Sequence, residues 1–457
     1  MTFHSPQFFI LFPCVLFLYF GSPVPFRNFI LLAASAWFYM AWRPEYILLI
    51  LFSVTIDYFV AIGLSRTTGV WRRPLLGLSL ASNLGLLFFY KYFGFFAEAL
   101  RATGLPVRLP AWEFLLPVGI SFYTFQALSY TIDVYRGSFP AEKNYFRLML
   151  YVLFFPQLVA GPIERSSNML PQYRELHEFD YERAASGLRL ALWGLVKKVA
   201  IADRLAVLAD AIYSSPREHA GPVLLAGTLA FAFQIYADFS AYSDIAIGVA
   251  RVLGFRLRTN FDRPYFAASP IEFWRRWHIS LSTWFRDYVY IPLGGNRRGE
   301  GRWAFAAFTT FLLSGLWHGA AWTFVAWGAY HGLLVLLTRA AGMLTPRRPP
   351  RWLAASLTFL LILLSWILFR AKSAGDAAYI LTRIPGGPGS WNCLLDRQLD
   401  WFLAGLGIVA VLIADLRGPI WEQRWPLPLR WAGYVAGVLL VLNGLGTADT
   451  PFIYFQF

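Results

Sequence analysis

Residues 314–322 read SGLWHGAAW. Ten residues before it, AFAAFTTFLL, are apolar or hydroxyl-bearing, and TFVAWGAY follows, ending at a second imidazole, His331. Two apolar stretches joined by a short glycine-containing turn read as a helical hairpin of membrane-crossing length. His318 then lies at the turn, where an ionisable group is costly unless it has a task or a partner. That reading sets the fold class, and the rest of the chain supports it.

Of the 457 residues, 57% are apolar, 18% aromatic and only 14% charged, where a soluble chain carries roughly 25% charged residues. Apolar stretches recur at 7–22, 26–42, 45–64, 74–97, 112–134, 146–163, 186–212, 222–254, 303–319, 321–338, 352–370, 401–416 and 430–447. Several are short or broken by Gly and Pro, and 222–254 is too long for one straight crossing. The expected architecture is an all-α polytopic membrane protein with about 10 to 12 crossings plus re-entrant or amphipathic pieces. It is read as a single integral-membrane domain, 1–457, with its core at about 112–340. No sustained internal repeat marks it as a repeat-built transporter. The N-terminus, MTFHSPQFFILFPCVLFLYFG, has no basic leader region and reads as a retained first helix.

The net charge of +14 is a topology signal in such a protein, and nucleic-acid binding is not implied. Basic residues concentrate in cytoplasmic loops. SRTTGVWRRP (65–74), NRRGEGR (296–302) and TPRRPPR (345–351) are placed there. Three crossings before the first of these put the N-terminus on the periplasmic side. The last two loops flank 303–338, so SGLWHGAAW turns at the far end of its hairpin and His318 lies deep. Cys14 and Cys393 are the only cysteines, too few for a disulfide framework.

Upstream, 269–295 reads SPIEFWRRWHISLSTWFRDYVYIPLGG. Trp274, Trp277, His278, Leu281 and Phe285 share one helical face, and Arg275, Ile279, Ser282 and Arg286 another. Ser269 with Glu272 forms a capping box, with Pro270 at the first helical position. The spacing predicts one amphipathic helix at the membrane interface or re-entering it.

An ionisable group inside a membrane segment costs at least ~2.5 kcal/mol on insertion scales, which makes each one a functional candidate. His318, His331, Asp238, Asp244, Asp57, Lys197 and Lys198 qualify. Imidazole suits proton transfer near neutral pH, so His318 reads as a general base, or as a histidine bonded between helices. His331 is open between catalysis and structure. His278 beside Trp277 reads as a helix anchor or a second catalytic group. Asp238 and Asp244 read mainly as a buried polar network, with Tyr242, Ser240 and the arginines of 269–295 as partners, or as groups orienting a histidine. His4, His177 and His219 sit in polar or terminal contexts. No metal-ligand spacing, phosphate-binding glycine loop or serine-nucleophile elbow occurs. No metal is expected, and direct transfer between two bound substrates fits the lack of a nucleophile.

SPIEFWRRWHISLSTWFRDYVYIPLGGNRRG followed by SGLWHGAAWTFVAWGAYHG resembles the signature region of the membrane-bound O-acyltransferase family, nearest to its bacterial alginate O-acetyltransferase branch. YADFSAYSDIAIGVARVLGF, VAGPIERSSNMLPQ and PFIYFQF are also similar. The resemblance implies a ring of tilted helices around a central tunnel. It puts the signature histidine on His318 and the second family histidine on His278. Trp317 and Trp322 would wall the tunnel, with Gly315 and Gly319 giving room for substrate. Asp238, Asp244 and His331 would support it, and Arg275, Arg276, Arg297 and Arg298 would attract donor phosphates.

The implied reaction is acetyl transfer at the bacterial inner membrane. No bound cofactor is implied; the donor is acetyl-CoA or an acyl carrier protein thioester. The acceptor is an exported polysaccharide, reached through a periplasmic SGNH-like partner enzyme. D-alanyl transfer to teichoic acid, acetyl transfer to peptidoglycan or cellulose, and a non-enzymatic acyl or glycan transporter are the competing readings.

Overall fold

The computed structural model describes residues 1–104, 115–159, 161–344, 349–418, 425–444 and 452–453. Among these the chain is helical throughout, with no β-strand. It divides into two compact units, residues 1–191 with 245–258, and residues 192–244 with 259–457.

The first unit holds α1 (Pro6–Gly21), α2 (Val24–Met40), α3 (Ile47–Arg66), α4 (Arg72–Leu87), α5 (Phe93–Ala102), α6 (Ile120–Arg136), α7 (Tyr145–Leu153), α8 (Phe155–Leu158) and α9 (Ser166–Gln172). It also takes most of α10 (Tyr181–Val196). The second unit contains α11 (Asp203–Tyr213) and most of α12 (Gly221–Leu253). There follow α13 (Pro270–Arg276), α14 (Ile279–Phe285), α15 (Glu300–His318), α16 (Trp322–Leu344) and α17 (Arg351–Arg370). The last elements are α18 (Ala374–Arg383), α19 (Asn392–Leu395), α20 (Gln398–Arg417) and α21 (Leu427–Gly444).

Among the described residues, seven helical stretches are long and apolar enough to cross a membrane: Pro44–Arg66, Gly69–Ala102, Gly221–Leu253, Trp322–Leu344, Arg351–Arg370, Gln398–Arg417 and Leu427–Gly444. The protein is a multi-pass membrane protein. All thirteen apolar stretches carry helix in their described residues, but four differ from the simple reading. The stretch 74–97 widens into a π-helical turn at Phe88–Tyr92. The stretch 146–163 is not one helix, because Phe154 leaves helical geometry (φ −49°, ψ 109°) and Pro156 starts a single new turn. The stretch 186–212 widens into a π-helical turn at Lys197–Ala202. The stretch 222–254 is one continuous helix of 33 residues. At 1.5 Å per residue it is roughly 50 Å long, beyond the ~30 Å of a bilayer core. It is tolerated because 83% of its most apolar window is buried inside the protein, so lipid does not set its length.

Polar residues tie helices together within the first unit. Asp57 on α3 accepts from Ser79 Oγ (2.5 Å) and from Asn83 Nδ2 (3.1 Å to each carboxylate oxygen), both on α4. This is the interhelical bonding expected of Asp57, with donors satisfying a carboxylate away from water. Where α10 meets α12, a Cβ on Gly187 would stand 2.6 Å from the Gly248 carbonyl oxygen, so only glycine permits that approach.

In the second unit α15 and α16 form the predicted hairpin. A Cβ on Gly315 would lie 2.3 Å from the Phe324 carbonyl oxygen, and one on Gly328 2.5 Å from that of Phe311. A Cβ on Gly319 would lie 2.1 Å from the Phe324 ring. The expectation that Gly315 and Gly319 leave room for a substrate is therefore corrected: helix backbone and the Phe324 ring occupy that space.

Of the basic loops, 65–74 runs from the end of α3 through a 3-10 turn, Gly69–Trp71, into the first turn of α4, and 296–302 runs into the first turn of α15. Residues 345–348 of the third lie outside the described residues. So do residues 112–114 of the expected core, Ala160 of VAGPIERSSNMLPQ, and all of PFIYFQF except Phe452 and Ile453.

Candidate functional site

The second unit gathers the aromatic and imidazole residues that the sequence singled out. The segment 269–295 begins as expected. Ser269 Oγ accepts from the Glu272 amide (3.1 Å), and Glu272 Oε2 accepts from the Ala268 amide (2.9 Å). It is not one helix, however. The chain breaks at Trp277–His278 and restarts as α14, and a π-helical turn, Arg286–Tyr290, ends it. His278 has φ +43°, one of two non-glycine residues with positive φ among those described; the other is Arg263. The left-handed region costs a residue with a Cβ about 1–2 kcal/mol, so the surroundings must hold it there.

Asn260 does this. Its backbone carbonyl accepts from the Ile279 amide (2.9 Å), and its Oδ1 accepts from the Ser280 amide (3.2 Å) and hydroxyl (2.8 Å). Its Nδ2 donates to Ser243 Oγ on α12 (3.2 Å). One buried amide side chain thus caps α14 from outside the segment and fixes the bend on which His278 sits. Nothing local in RLRTNFDRP marks Asn260, because its partners are distant in sequence.

His278 is fully buried. Phe239 meets its ring edge-on at 4.5 Å, Trp317 lies at 6.0 Å and His318 at 6.5 Å between ring centroids. His278 lies outside the candidate spans, and burial holds its imidazole well below the ordinary histidine range. His318, the last residue of α15, is also buried. Three rings enclose it: Trp317 and Trp327 at 5.0 Å each, and Phe369 from α17 at 5.3 Å. The hairpin turn and the bend at 277–278 thus bring together the two histidines that stand forty residues apart in sequence.

The other site candidates sort clearly. Trp317 lines the pair as expected. Trp322 does not: it is 63% exposed at the start of α16, because the turn at Gly319–Ala321 carries it outward. Trp327 stands against the His318 ring instead. His331 is buried and accepts at Nδ1 from Trp274 Nε1 (3.3 Å), with Trp327 at 4.6 Å. His331 thus contacts two buried tryptophans, Trp274 and Trp327.

Asp238 and Asp244 do form a buried network, but their partners are lysines and not the arginines of 269–295. Lys198 Nζ sits 2.8 Å from Asp203 and 3.0 Å from Asp238. Lys197 Nζ is 2.7 Å from Asp244 and donates to Ser240 Oγ at 2.8 Å. At about 100° per residue, carboxylates six apart point roughly 120° from each other and consecutive lysines roughly 100°. The two pairs therefore stand side by side where the π-helical turn faces α12.

A cavity of about 380 Å³ opens among α13, α14, α15 and α16. Arg275, Arg286 and Arg339 line it, while Trp274, Phe311 and Ser314 bring it to the residues that carry His331 and His318. Arg297 and Arg298 line a smaller neighbouring pocket that shares Asn296 with it. Arg276 faces elsewhere, paired to Glu272 at 2.6 Å.

Comparison with known proteins places the chain in a family. Residues 142–373 match the membrane-bound O-acyltransferase family. A probable alginate O-acetylase of Pseudomonas putida is 37% identical over the full length of both chains. One from Pseudomonas aeruginosa is 42% identical over 91% of this chain and 80% of its own. A peptidoglycan O-acetyltransferase of Helicobacter pylori is 34% identical over 88% of this chain and 83% of its own. Similarity of this extent makes the chain a member of the membrane-bound O-acyltransferase family and a multi-pass O-acyltransferase of the alginate O-acetylase type.

Proposed function

We propose that the whole chain, as one integral-membrane domain in the bacterial inner membrane, passes an acetyl group from a cytoplasmic thioester to the outer side. There the group goes to O-acetylation of an exported polysaccharide. Alginate is the acceptor that the names of the Pseudomonas relatives suggest. The observation that carries this reading is the buried His278–His318 pair, together with an arginine-bearing cavity lined by the same helices, α13 to α16.

In the proposed reaction the acceptor is a hydroxyl of the polymer or of a periplasmic SGNH-like partner that completes transfer. The His318 imidazole takes the hydroxyl proton, the oxygen bonds to the thioester carbonyl carbon, and the carbon–sulfur bond breaks. The thiol leaves with the proton returned by the imidazolium. General-base catalysis of this kind contributes roughly 10²–10⁴-fold. The partial negative charge at the end of α15 faces the positive charge that develops on His318. His278 orients the donor carbonyl. Trp317, Trp327 and Phe369 exclude bulk water and so limit hydrolysis. Arg275, Arg286 and Arg339 hold the phosphates of acetyl-CoA or of an acyl carrier protein's prosthetic arm, with Arg297 and Arg298 next to them. The N-terminus lies on the periplasmic side in this topology.

The test is acetyl transfer by purified protein in proteoliposomes, with radiolabelled acetyl-CoA and acetyl-carrier protein as separate donors. Wild type transfers label to alginate or to the partner, and His318→Ala loses at least about 100-fold. Undiminished transfer by that variant overturns the assignment. Label on peptidoglycan fragments and not on alginate changes the acceptor to the one named for the Helicobacter relative.

A further inference from the structure

The described residues Phe452 and Ile453 lie fully buried against α12, whose residues stand more than two hundred positions earlier in the sequence. The Ile453 amide donates to Asp238 Oδ2 at 2.8 Å. Asp238 Oδ1 is one of the two carboxylate oxygens that hold Lys198. The Phe452 ring stands 4.3 Å from Tyr242 and 5.9 Å from Phe239. Phe239 is the ring that meets His278 edge-on at 4.5 Å.

These contacts have one consequence. The Lys198 cluster contains two carboxylates for one ammonium, and buried carboxylates require further donors. The Ile453 amide is such a donor, on the oxygen of Asp238 other than the one nearest Lys198. Phe452, one residue earlier, fills the space beside Phe239 and Tyr242 on the same helix. The pair therefore supplies both a hydrogen bond to Asp238 and packing on the helix face that confines the His278 ring.

We propose that Phe452–Ile453 is a positioning element for His278. By anchoring to Asp238 and packing Phe239, it holds the His278 imidazole in register with His318. It touches neither substrate in this scheme and acts through Phe239. The proposal rests on the reading that His278 works with His318.

The test uses the full chain in proteoliposomes with the donor titrated up to saturation. Phe452→Ala and, separately, Ile453→Pro, which removes the amide N–H, are expected to lower kcat about tenfold or more with donor KM within about twofold, as small displacements of catalytic groups do. Phe452→Tyr keeps the ring and restores most of the rate. In a His278→Asn background, Phe452→Ala adds little further loss, because its effect runs through the absent imidazole. If Phe452→Ala does not accumulate as folded protein, Ile453→Pro and Phe452→Leu carry the measurement. Wild-type kcat in these variants overturns the proposal, as does a full multiplicative loss on top of His278→Asn. Full activity of His278→Asn alone instead removes the role of His278 itself.

Discussion

The imidazoles of His278 and His318 lie 6.5 Å apart, centroid to centroid, with Trp317 in contact distance of both. One is held by a helix end and the other by a left-handed bend, so a substitution at each acts through different physics.

At His278, backbone and imidazole can be separated. Asparagine tolerates positive φ better than other side chains, so His278→Asn keeps the bend and loses the ring. It is expected to fold with near wild-type thermal stability and to lose transfer activity at least tenfold. His278→Ala loses the same activity and a further ~1 kcal/mol of stability from the left-handed backbone. Unfolding in detergent micelles, followed beside transfer assays, distinguishes the two.

Acid should weaken the fold through the same residue. Burial lowers the folded-state pKa of His278 below its unfolded value. The neutral ring's contribution is thus complete above the unfolded value near 6.5 and is lost as pH falls below it, because protonation favours the unfolded chain. Midpoints measured from pH 7.5 to pH 5 fall less steeply for His278→Asn, by up to about 1.4 kcal/mol per pH unit. Identical slopes contradict a buried neutral imidazole.

Breaking the lysine cluster is expected to be severe. Lys198→Met leaves Asp203 and Asp238 without their shared cation, and orphaning a buried ion-pair partner costs about 3–5 kcal/mol. The variant should lose most folded protein at 37 °C, read by fluorescence size-exclusion chromatography.

The cavity arginines separate by neighbour. Arg275 lines the cavity and makes no ion pair among the described residues, whereas Arg276 is engaged by Glu272. Arg275→Ala is expected to raise the donor KM several-fold with kcat little changed, and more so at low salt. Arg276→Ala leaves the donor KM within about twofold. Equal effects would show that net charge, and not this cavity, attracts the donor.

Much of the architecture was legible in the sequence because hydropathy reports length and apolarity directly. Each apolar stretch carries helix, Ser269 and Glu272 cap α13, and the hairpin turns at SGLWHGAAW. What hydropathy does not encode is who packs on whom. Gly315 and Gly319 looked like open space, yet only the position of Phe324 shows that they are filled. Trp322 and Trp327 have similar surroundings in sequence, and the turn at 319–321 alone decides which faces His318. The break at Trp277–His278 was invisible because it depends on Asn260, whose own neighbours give no sign of it. Asp238 and Asp244 found lysines on a widened helical turn, which no helical-wheel argument anticipates.

The glycine contacts between α15 and α16 bear on how an acceptor arrives. With Gly315 against the Phe324 carbonyl and Gly328 against that of Phe311, the two helix backbones are in direct contact. We expect them to move as one piece that carries His318 with it. Any opening that admits a hydroxyl must therefore come from elements moving around the hairpin, and a crosslink between α15 and α16 should leave turnover intact.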